Sequence, residues 1–204
     1  NRSIIAGLLP GGDADAPALR DGIVVVHYRA CPKQWTGFPP SHIGLAVFTP
    51  RLELLYRHPE PILRSGLDPR GLDFTSVEDP RVTRVGDHFY MLYCGYTVFQ
   101  DGTGRMSPCR ARSTDLIHWE KLGAFDGEVR DPNKDHVLFS EPIDGYHFML
   151  HRPCLLKQSD FAIQLAMSDH PDGWWKNLGV LFAADPVDGY EDCWNGAGTV
   201  PIHL

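Results

Sequence analysis

The sequence predicts an all-β protein, and three observations support this class. Short apolar runs at 22–28, 88–93 and 146–150 each follow a polar turn that contains glycine, which is the pattern of β-strands. The 204 residues include 20 Gly, 17 Pro and 11% aromatic residues, as in many-stranded β proteins. Long segments with the period of an amphipathic helix are absent. One domain over 1–204 is expected for a chain of this length.

Three similar units follow one another along the chain. Each opens with an acid-and-glycine turn and a strand, and continues with a second strand, a turn and an aromatic or apolar close. The turn acids Asp21, Asp87 and Asp144 stand 66 and 57 residues apart, longer than the roughly 40–50 residues of a plain propeller blade. We therefore predict a β-propeller whose blades carry loop insertions. Three units and the start of another at 194–204 do not close a ring, so the chain is expected to supply the first three to four blades.

Charge and composition exclude several functional classes. The formal net charge of −7 argues against a nucleic-acid partner, because phosphate-backbone affinity comes from clustered Lys and Arg. No apolar run approaches the roughly 18 residues of a membrane helix, so no membrane partner is expected. No basic-then-apolar leader precedes the first unit, which predicts a cytoplasmic protein, although a chain that begins with Asn1 leaves a removed leader open.

The cysteines and glycines indicate no cofactor. Five cysteines without a C-x-x-C pair fit neither a disulfide framework nor a zinc ribbon, so reduced thiols, mostly in the core, are expected. No metal-ligand spacing is present, and no glycine loop is followed by the helix that nucleotide phosphates require. The sequence leaves the oligomeric state open, including a homo-oligomer.

Candidate site residues stand at equivalent places in the repeats. A propeller gathers strand ends of several blades around one channel. The strands that follow the acid-and-glycine turns are expected to be the innermost of their blades and end near Arg29, Tyr96 and Arg152, and the loop at 77–81 that enters the second unit contains Glu78, Asp79 and Arg81. These residues are expected to face one cavity.

The ordered motifs resemble those of glycoside hydrolase family 130, the inverting β-mannoside phosphorylases. The motifs are EDPRVT at 78–83, NKD at 133–135, LHRP at 150–153, and Trp194 with GAG at 196–198 before Pro201-Ile202. The resemblance extends over most of the chain from about Asp21 onward. It implies a five-bladed propeller that cleaves a β-mannosyl linkage, expected to be β-1,4, with inorganic phosphate as co-substrate, giving α-mannose 1-phosphate and a shortened sugar.

The resemblance assigns roles to three residues. Asp79 matches the catalytic aspartate of the family, which acts as the general acid by relaying a proton through a sugar hydroxyl. Lys134 and Arg152 match the basic positions that bind phosphate. The chemistry agrees, because phosphate is already an anionic nucleophile, so such a site needs cations in place of the carboxylate base of an inverting hydrolase.

Further residues are candidate substrate contacts. Arg29 stands where the family has a sugar-binding arginine, Tyr96 is a candidate for stacking on a sugar, and His151 is a candidate polar contact. Arg81 is a candidate substrate contact that could instead pair with Asp79 or Glu78. Glu78 is expected to be supporting, because neighbouring side chains of an extended segment point to opposite faces.

Three functional classes remain open at this stage: phosphorolysis, hydrolysis by a relative that uses a carboxylate base, and binding by a non-catalytic propeller. The basic pair Lys134 and Arg152 favours phosphorolysis, since basic side chains of this kind do not activate water. One departure from the family pattern is the sequence DAPA at 15–18, where relatives carry an Asn-Pro stretch that contacts the mannosyl unit.

Overall fold

The computed structural model describes residues 22–33, 36–66, 71–154, 162–183 and 195–202. Within these ranges the chain forms twelve strands and no helix, which confirms the all-β prediction. The strands form three sheets that follow one another along the chain. The described residues therefore contain no helix that could cross a membrane.

The first sheet is antiparallel, with its strands in the order β1 (Val24–Ala30), β2 (His42–Phe48) and β3 (Leu54–Arg57). Ile43, Leu45 and Val47 alternate along β2 and are fully buried, so this face forms core. Gly44 faces the other side, where the Tyr28 ring lies across it; a Cβ there would stand 2.5 Å from Tyr28 Cζ. Glycine is therefore required for this cross-strand contact.

The second sheet is antiparallel, in the order β4 (Ser76–Val85), β5 (His88–Val98), β6 (Gly104–Ser113) and β7 (Glu120–Ala124). Its strand β5 is buried on both faces. Met91 packs in one apolar cluster with Ile43 of the first sheet, and Leu92 packs in another with Met149 of the third sheet. Burial on both faces explains why 88–93 is a solid apolar run rather than an alternating one.

The third sheet is antiparallel over β9 (Asn133–Leu138), β10 (His147–Pro153), β11 (Ile163–Ser168) and β12 (Trp174–Phe182), with the short β8 (Asp126–Gly127) added parallel to β12. The strand β8 follows the second sheet in the chain, so it ties that sheet to the outer edge of the third. A Cβ on Gly127 would lie 2.2 Å from the Trp175 carbonyl oxygen, so only glycine permits this approach.

The edge strands β4 and β9 contact each other where the second and third sheets meet. The strand starts predicted at 22–28, 88–93 and 146–150 are confirmed as β1, β5 and β10. Two other expectations are wrong: β5 and β10 are second in their sheets rather than innermost, and the segment 77–81 is part of strand β4 rather than a loop. The physical reason is that β4 and β9 take the edge positions beside β5 and β10, and that the charged residues of β4 resemble a loop in the sequence.

The fourth unit predicted from Trp194 begins outside the described residues, and 195–202 contain no strand. No disulfide joins the four described cysteines, Cys31, Cys94, Cys109 and Cys154. Cys94 and Cys109 are buried, whereas Cys31 is exposed, so the core placement is only partly correct. Cys193 lies outside the described residues.

Candidate active site

Asp79 and Asp135 lie in matching β-bulges on β4 and β9. The pairing register of β4 with β5 shifts between Glu78 and Arg81, and that of β9 with β10 shifts just before Arg152. Asp79 has φ 53° and Asp135 has φ 56°, in the left-handed region that aspartate tolerates better than most residues. A bulge redirects the side chains around it. The two bulges gather the charged residues of the predicted site between the second and third sheets.

Glu78 and Asp79 reach the same two cations. Arg29 Nη2 donates to Glu78 Oε1 at 2.8 Å, and its Nη1 lies 3.7 Å from Asp79 Oδ1. Lys134 Nζ lies 3.5 Å from Glu78 Oε2 and 3.4 Å from Asp79 Oδ2. The expectation that the two acids point to opposite faces is wrong, because the left-handed Asp79 breaks the alternation of the strand.

The two carboxylates differ in exposure. The Glu78 side chain is 4% exposed and that of Asp79 is 31% exposed. Glu78 also accepts a hydrogen bond from the Ser76 hydroxyl at 3.0 Å, and Arg29 Nε donates to Ser41 Oγ at 3.0 Å. Glu78 is thus a buried anchor, while Asp79 is the acid that a substrate can reach.

Lys134 is a stably charged lysine. Burial lowers its pKa, but the nearby Cys94, Asp79 and Glu78 together raise it by more, so the net shift of the pKa is upward from the ordinary value. Opposite charges close to an ammonium favour its charged form. Lys134 therefore remains a cation throughout the neutral range.

Arg152 stands directly opposite Lys134 across β9 and β10. Its Nε donates to Asp135 Oδ2 at 2.7 Å, and its Nη2 lies 2.7 Å from the same oxygen in an ion pair. A charge-assisted hydrogen bond of this kind helps to orient a guanidinium. The predicted phosphate-binding pair is therefore brought together, with its arginine oriented by Asp135.

Arg81 does not pair with Asp79 or Glu78, as one alternative expected. Its Nη2 lies 3.2 Å from Asp135 Oδ1. The same guanidinium donates to the carbonyl oxygens of Ala197 at 3.0 Å and Gly198 at 2.9 Å. Its expected role as a substrate contact is not supported by these contacts, because they use the guanidinium to hold the 196–198 backbone.

His151 is a buried core residue, 1% exposed. The Asn133 side-chain amide donates to its Nδ1 at 3.0 Å, and its Nε2 donates to Asn177 Oδ1 at 3.3 Å. Burial lowers the pKa of His151 to about 4, although the Asn177 contact acts in the opposite direction. Its predicted role as a substrate contact conflicts with this placement; both ring nitrogens are used inside the third sheet.

Tyr96 stands apart from the charged cluster in its contacts. It pairs with Ser76 across β4 and β5, and its ring stacks on Phe38 with centroids 4.2 Å apart and planes 28° apart. A Cβ on Gly104 would overlap the Tyr96 hydroxyl. The ring is thus held against the β1–β2 connection, and its predicted stacking on a sugar stays a prediction.

Sequence reasoning did not assign a role to Asp135. The spacing in the sequence could have indicated it, because Asp135 of the NKD motif and Asp79 of the EDPR motif each stand shortly before the acid of an acid-and-glycine turn, Asp144 and Asp87. The serines around Glu78 gave no such signal, since Ser41 approaches Ser76 only through folding. Among the described residues, no group of three His, Cys, Asp or Glu side chains could hold a metal ion.

A cleft of about 600 Å³ lies elsewhere, on the outer face of the first sheet, with Tyr28, His42 and Arg57 in its wall. None of the predicted site residues lines it. The charged cluster between β4 and β9 is thus the better candidate for chemistry, since it brings the accessible Asp79 together with the predicted cations Lys134 and Arg152.

Comparison with known proteins identifies the family. The sequence model described as beta-1,4-mannooligosaccharide phosphorylase matches residues 22–202. A 1,2-beta-oligomannan phosphorylase of Thermoanaerobacter sp. (strain X514) is 30% identical over 187 residues, which are 89% of this chain and 57% of the relative. The chain therefore spans little more than half the length of that relative.

Solved structures agree on the fold. A beta-1,2-mannobiose phosphorylase from Listeria innocua, in complex with beta-1,2-mannobiose, superimposes with a TM-score of 0.66 at 24% identity, covering 81% of this chain and 43% of that one. A structure reported with glycoside hydrolases of family 130 that target beta-1,2 mannosidic linkages in Candida mannan gives 0.66 at 20% identity, covering 82% and 50%.

The propeller prediction is thereby confirmed: the fold is that of a five-bladed β-propeller, of which the described residues form three sheets. The match over 22–202 includes both bulged strands and all the motifs noted in the sequence within that range. The chain belongs to glycoside hydrolase family 130, the family described as beta-1,4-mannooligosaccharide phosphorylases.

Proposed function

We propose that the protein is a β-mannoside phosphorylase, which transfers a mannosyl group to inorganic phosphate with inversion and releases α-mannose 1-phosphate and a shortened sugar. The observation that carries this proposal is the cross-strand pair of Lys134 and Arg152 beside Asp79. Family membership supports the same reaction class.

The cation pair supports phosphate as the nucleophile. Like charges directly opposite each other on neighbouring strands repel, since their Cβ atoms stand about 4.5–5.5 Å apart. A dianion between Lys134 and Arg152 offsets the part of that repulsion that Glu78, Asp79 and Asp135 leave, with the guanidinium as a planar fork and the ammonium as a point charge. No organic cofactor or metal enters this proposal; phosphate is the co-substrate.

Asp79 supplies the acid chemistry in this proposal. A phosphate oxygen forms a bond to the anomeric carbon, the bond from that carbon to the bridging oxygen breaks, and the bridging oxygen gains a proton that Asp79 delivers through a sugar hydroxyl. Lys134 lies 3.4 Å from Asp79 Oδ2, so the cation proposed to bind phosphate stands beside the proposed acid.

Arg29 is the proposed contact to the mannosyl unit. Its guanidinium touches both Glu78 and Asp79, so it stands next to the acid that serves the reacting bond. Ser41 and Glu78 hold the guanidinium in place, and a side chain fixed in this way can orient a bound sugar.

The linkage is the finer part of the proposal. The family description names β-1,4-mannooligosaccharides, whereas the Thermoanaerobacter relative is named for β-1,2-oligomannan. The β-1,4 linkage expected from the sequence is therefore not confirmed. We propose β-1,2-mannosides as the first substrates to test, with β-1,4-mannobiose beside them.

Hydrolysis is the second candidate, because a structural neighbour comes from work on hydrolases of this family. An inverting hydrolase needs a carboxylate that activates water. Glu78 is the nearby acid, but it is buried and bound to Arg29, Ser76 and Lys134. The contacts therefore favour phosphorolysis.

The deciding experiment incubates the protein with β-1,2-mannobiose and β-1,4-mannobiose, with and without inorganic phosphate, and follows mannose 1-phosphate and free mannose. Phosphate-dependent mannose 1-phosphate from either sugar supports the proposal, and the better substrate gives the linkage. Release of free mannose at the same rate with and without phosphate would assign hydrolysis instead. If neither sugar is turned over, the remaining class is a non-catalytic propeller that binds glycans.

A further inference from the structure

Asp135 forms the link between the phosphate-binding pair and a segment distant in the chain. Its Oδ2 accepts a hydrogen bond from Arg152 Nε at 2.7 Å and lies 2.7 Å from Arg152 Nη2, and its Oδ1 lies 3.2 Å from Arg81 Nη2. Arg81 in turn donates to the carbonyl oxygens of Ala197 and Gly198. One carboxylate thus joins Arg152 to the 196–198 backbone.

These groups are shielded from water. The side chains of Asp135, Arg152 and Arg81 are 14%, 11% and 17% exposed. In such surroundings a charge that loses its partner is costly, and the remaining group reorients or draws in water. Without Asp135, the guanidinium of Arg152 would stand opposite Lys134 with its orienting carboxylate gone.

We propose that Asp135 is a positioning residue, which orients the Arg152 guanidinium for phosphate at a place that only a glycine at position 196 leaves free. This inference rests on the proposed phosphorolysis and names the residue on which phosphate affinity depends. Asp135 does not contact phosphate or sugar itself and acts through Arg152.

Gly196 provides an independent probe of the same contact. A Cβ on Gly196 would lie 2.5 Å from Asp135 Oδ2 and 3.4 Å from Arg152 Nε. An added methyl group therefore pushes on the carboxylate and on the guanidinium while leaving every charge in place. Gly198 is the matched control, because a Cβ there meets nothing within 4 Å.

The test compares Asp135→Asn, Gly196→Ala and Gly198→Ala in steady-state phosphorolysis, with phosphate and mannoside varied separately. We expect the phosphate KM to rise about tenfold or more in the first two variants, as for the loss of a hydrogen bond to a charged group. The mannoside KM and kcat should change less than about twofold. Gly198→Ala should match the wild type.

A double-mutant cycle separates positioning from a general structural role. If Asp135 acts through Arg152, Asp135→Asn adds no further rise of the phosphate KM in an Arg152→Ala background. Additive effects would overturn the proposal, as would a rise in the mannoside KM with the phosphate KM unchanged. Circular dichroism of each variant identifies misfolding, and Gly196→Ala then carries the test if Asp135→Asn misfolds.

Failure of the proposed function gives a different result from failure of this inference. If the wild type makes no mannose 1-phosphate from any mannoside, titration calorimetry with inorganic phosphate still measures the affinity of the wild type and of Asp135→Asn. Weaker binding by the variant supports the positioning role. Equal binding, or no binding by the wild type, overturns it.

Discussion

Asp79 and Asp135 occupy the same position in successive sheets, each in the left-handed conformation at a bulge of an edge strand, with φ 53° and 56°. Their partners differ. Asp79 faces Arg29 and Lys134, whereas Asp135 is held by Arg81 and Arg152. A repeated backbone feature thus presents one accessible acid and one shielded acid to neighbouring parts of the same site.

Replacing Asp79 with Asn is expected to reduce kcat for mannose 1-phosphate formation by about 10²–10⁴-fold, the usual contribution of a general acid. Substrate binding should change less, because the amide keeps the size of the carboxyl group. The measurement is steady-state phosphorolysis. Asp87→Asn, at the exposed turn between β4 and β5, is the matched control, and a similar loss in that variant would argue against a specific role for Asp79.

Lys134→Met is expected to raise the phosphate KM about tenfold or more, since it removes a charge-assisted contact. Lys176→Met, at an exposed lysine on β12, should leave that KM unchanged.

The charge of Lys134 is expected to persist over the neutral range, because the pKa of Lys134 is raised above the ordinary lysine value. The charge, and the stability that depends on it, are fully present below the ordinary lysine pKa and are lost only as the pH rises through the raised value. A loss of phosphate affinity between about pH 7 and about pH 9 that requires Lys134 would contradict this assignment.

Acidification is expected to destabilise the fold through His151. Its pKa of about 4 in the folded protein lies below the ordinary value near 6.5, so the unfolded chain binds more protons between those values. The free energy of unfolding therefore falls as the pH drops from about 6.5 towards about 4, by about 3 kcal/mol from this residue. Urea unfolding at several pH values measures the slope.

The slope should become shallower in His151→Asn. It should stay unchanged in His88→Asn, where the histidine is partly exposed at the start of β5. An equal slope in the wild type and in His151→Asn would show that other groups are responsible.

Met91→Ala is expected to lower the free energy of unfolding by about 2–5 kcal/mol, because it leaves a cavity in a packed core. Met91 is fully buried in the cluster between the first and second sheets. Val180 on β12 is 61% exposed, so Val180→Ala should change stability by less than about 0.5 kcal/mol. Denaturant titration followed by tryptophan fluorescence compares the two variants, and equal losses would argue against the sheet-to-sheet core.

Much of the fold was predictable, because a strand buried on both faces appears in the sequence as a continuous run of apolar residues. The run that became β5 was found for this reason, and β10 was found from an apolar run after a glycine turn. The edge strand β4 was missed, because its charged residues resemble a loop. In the site, the motifs singled out Asp79, Lys134 and Arg152, which the fold brings into one cluster and whose roles stay predictions, whereas Arg81 and His151 are bound to other protein groups.

The β class, the repeated units and the order of motifs that places the chain in its family could be predicted from the amino-acid sequence, because they are local patterns along the chain. The partners of the charged side chains emerge only in the folded molecule. Arg81 finds carbonyl partners 116 and 117 residues further along the chain, and left-handed bulges turn neighbouring acids towards shared cations. Such pairings depend on how sheets pack and where strands bulge, so no local pattern in the sequence specifies them.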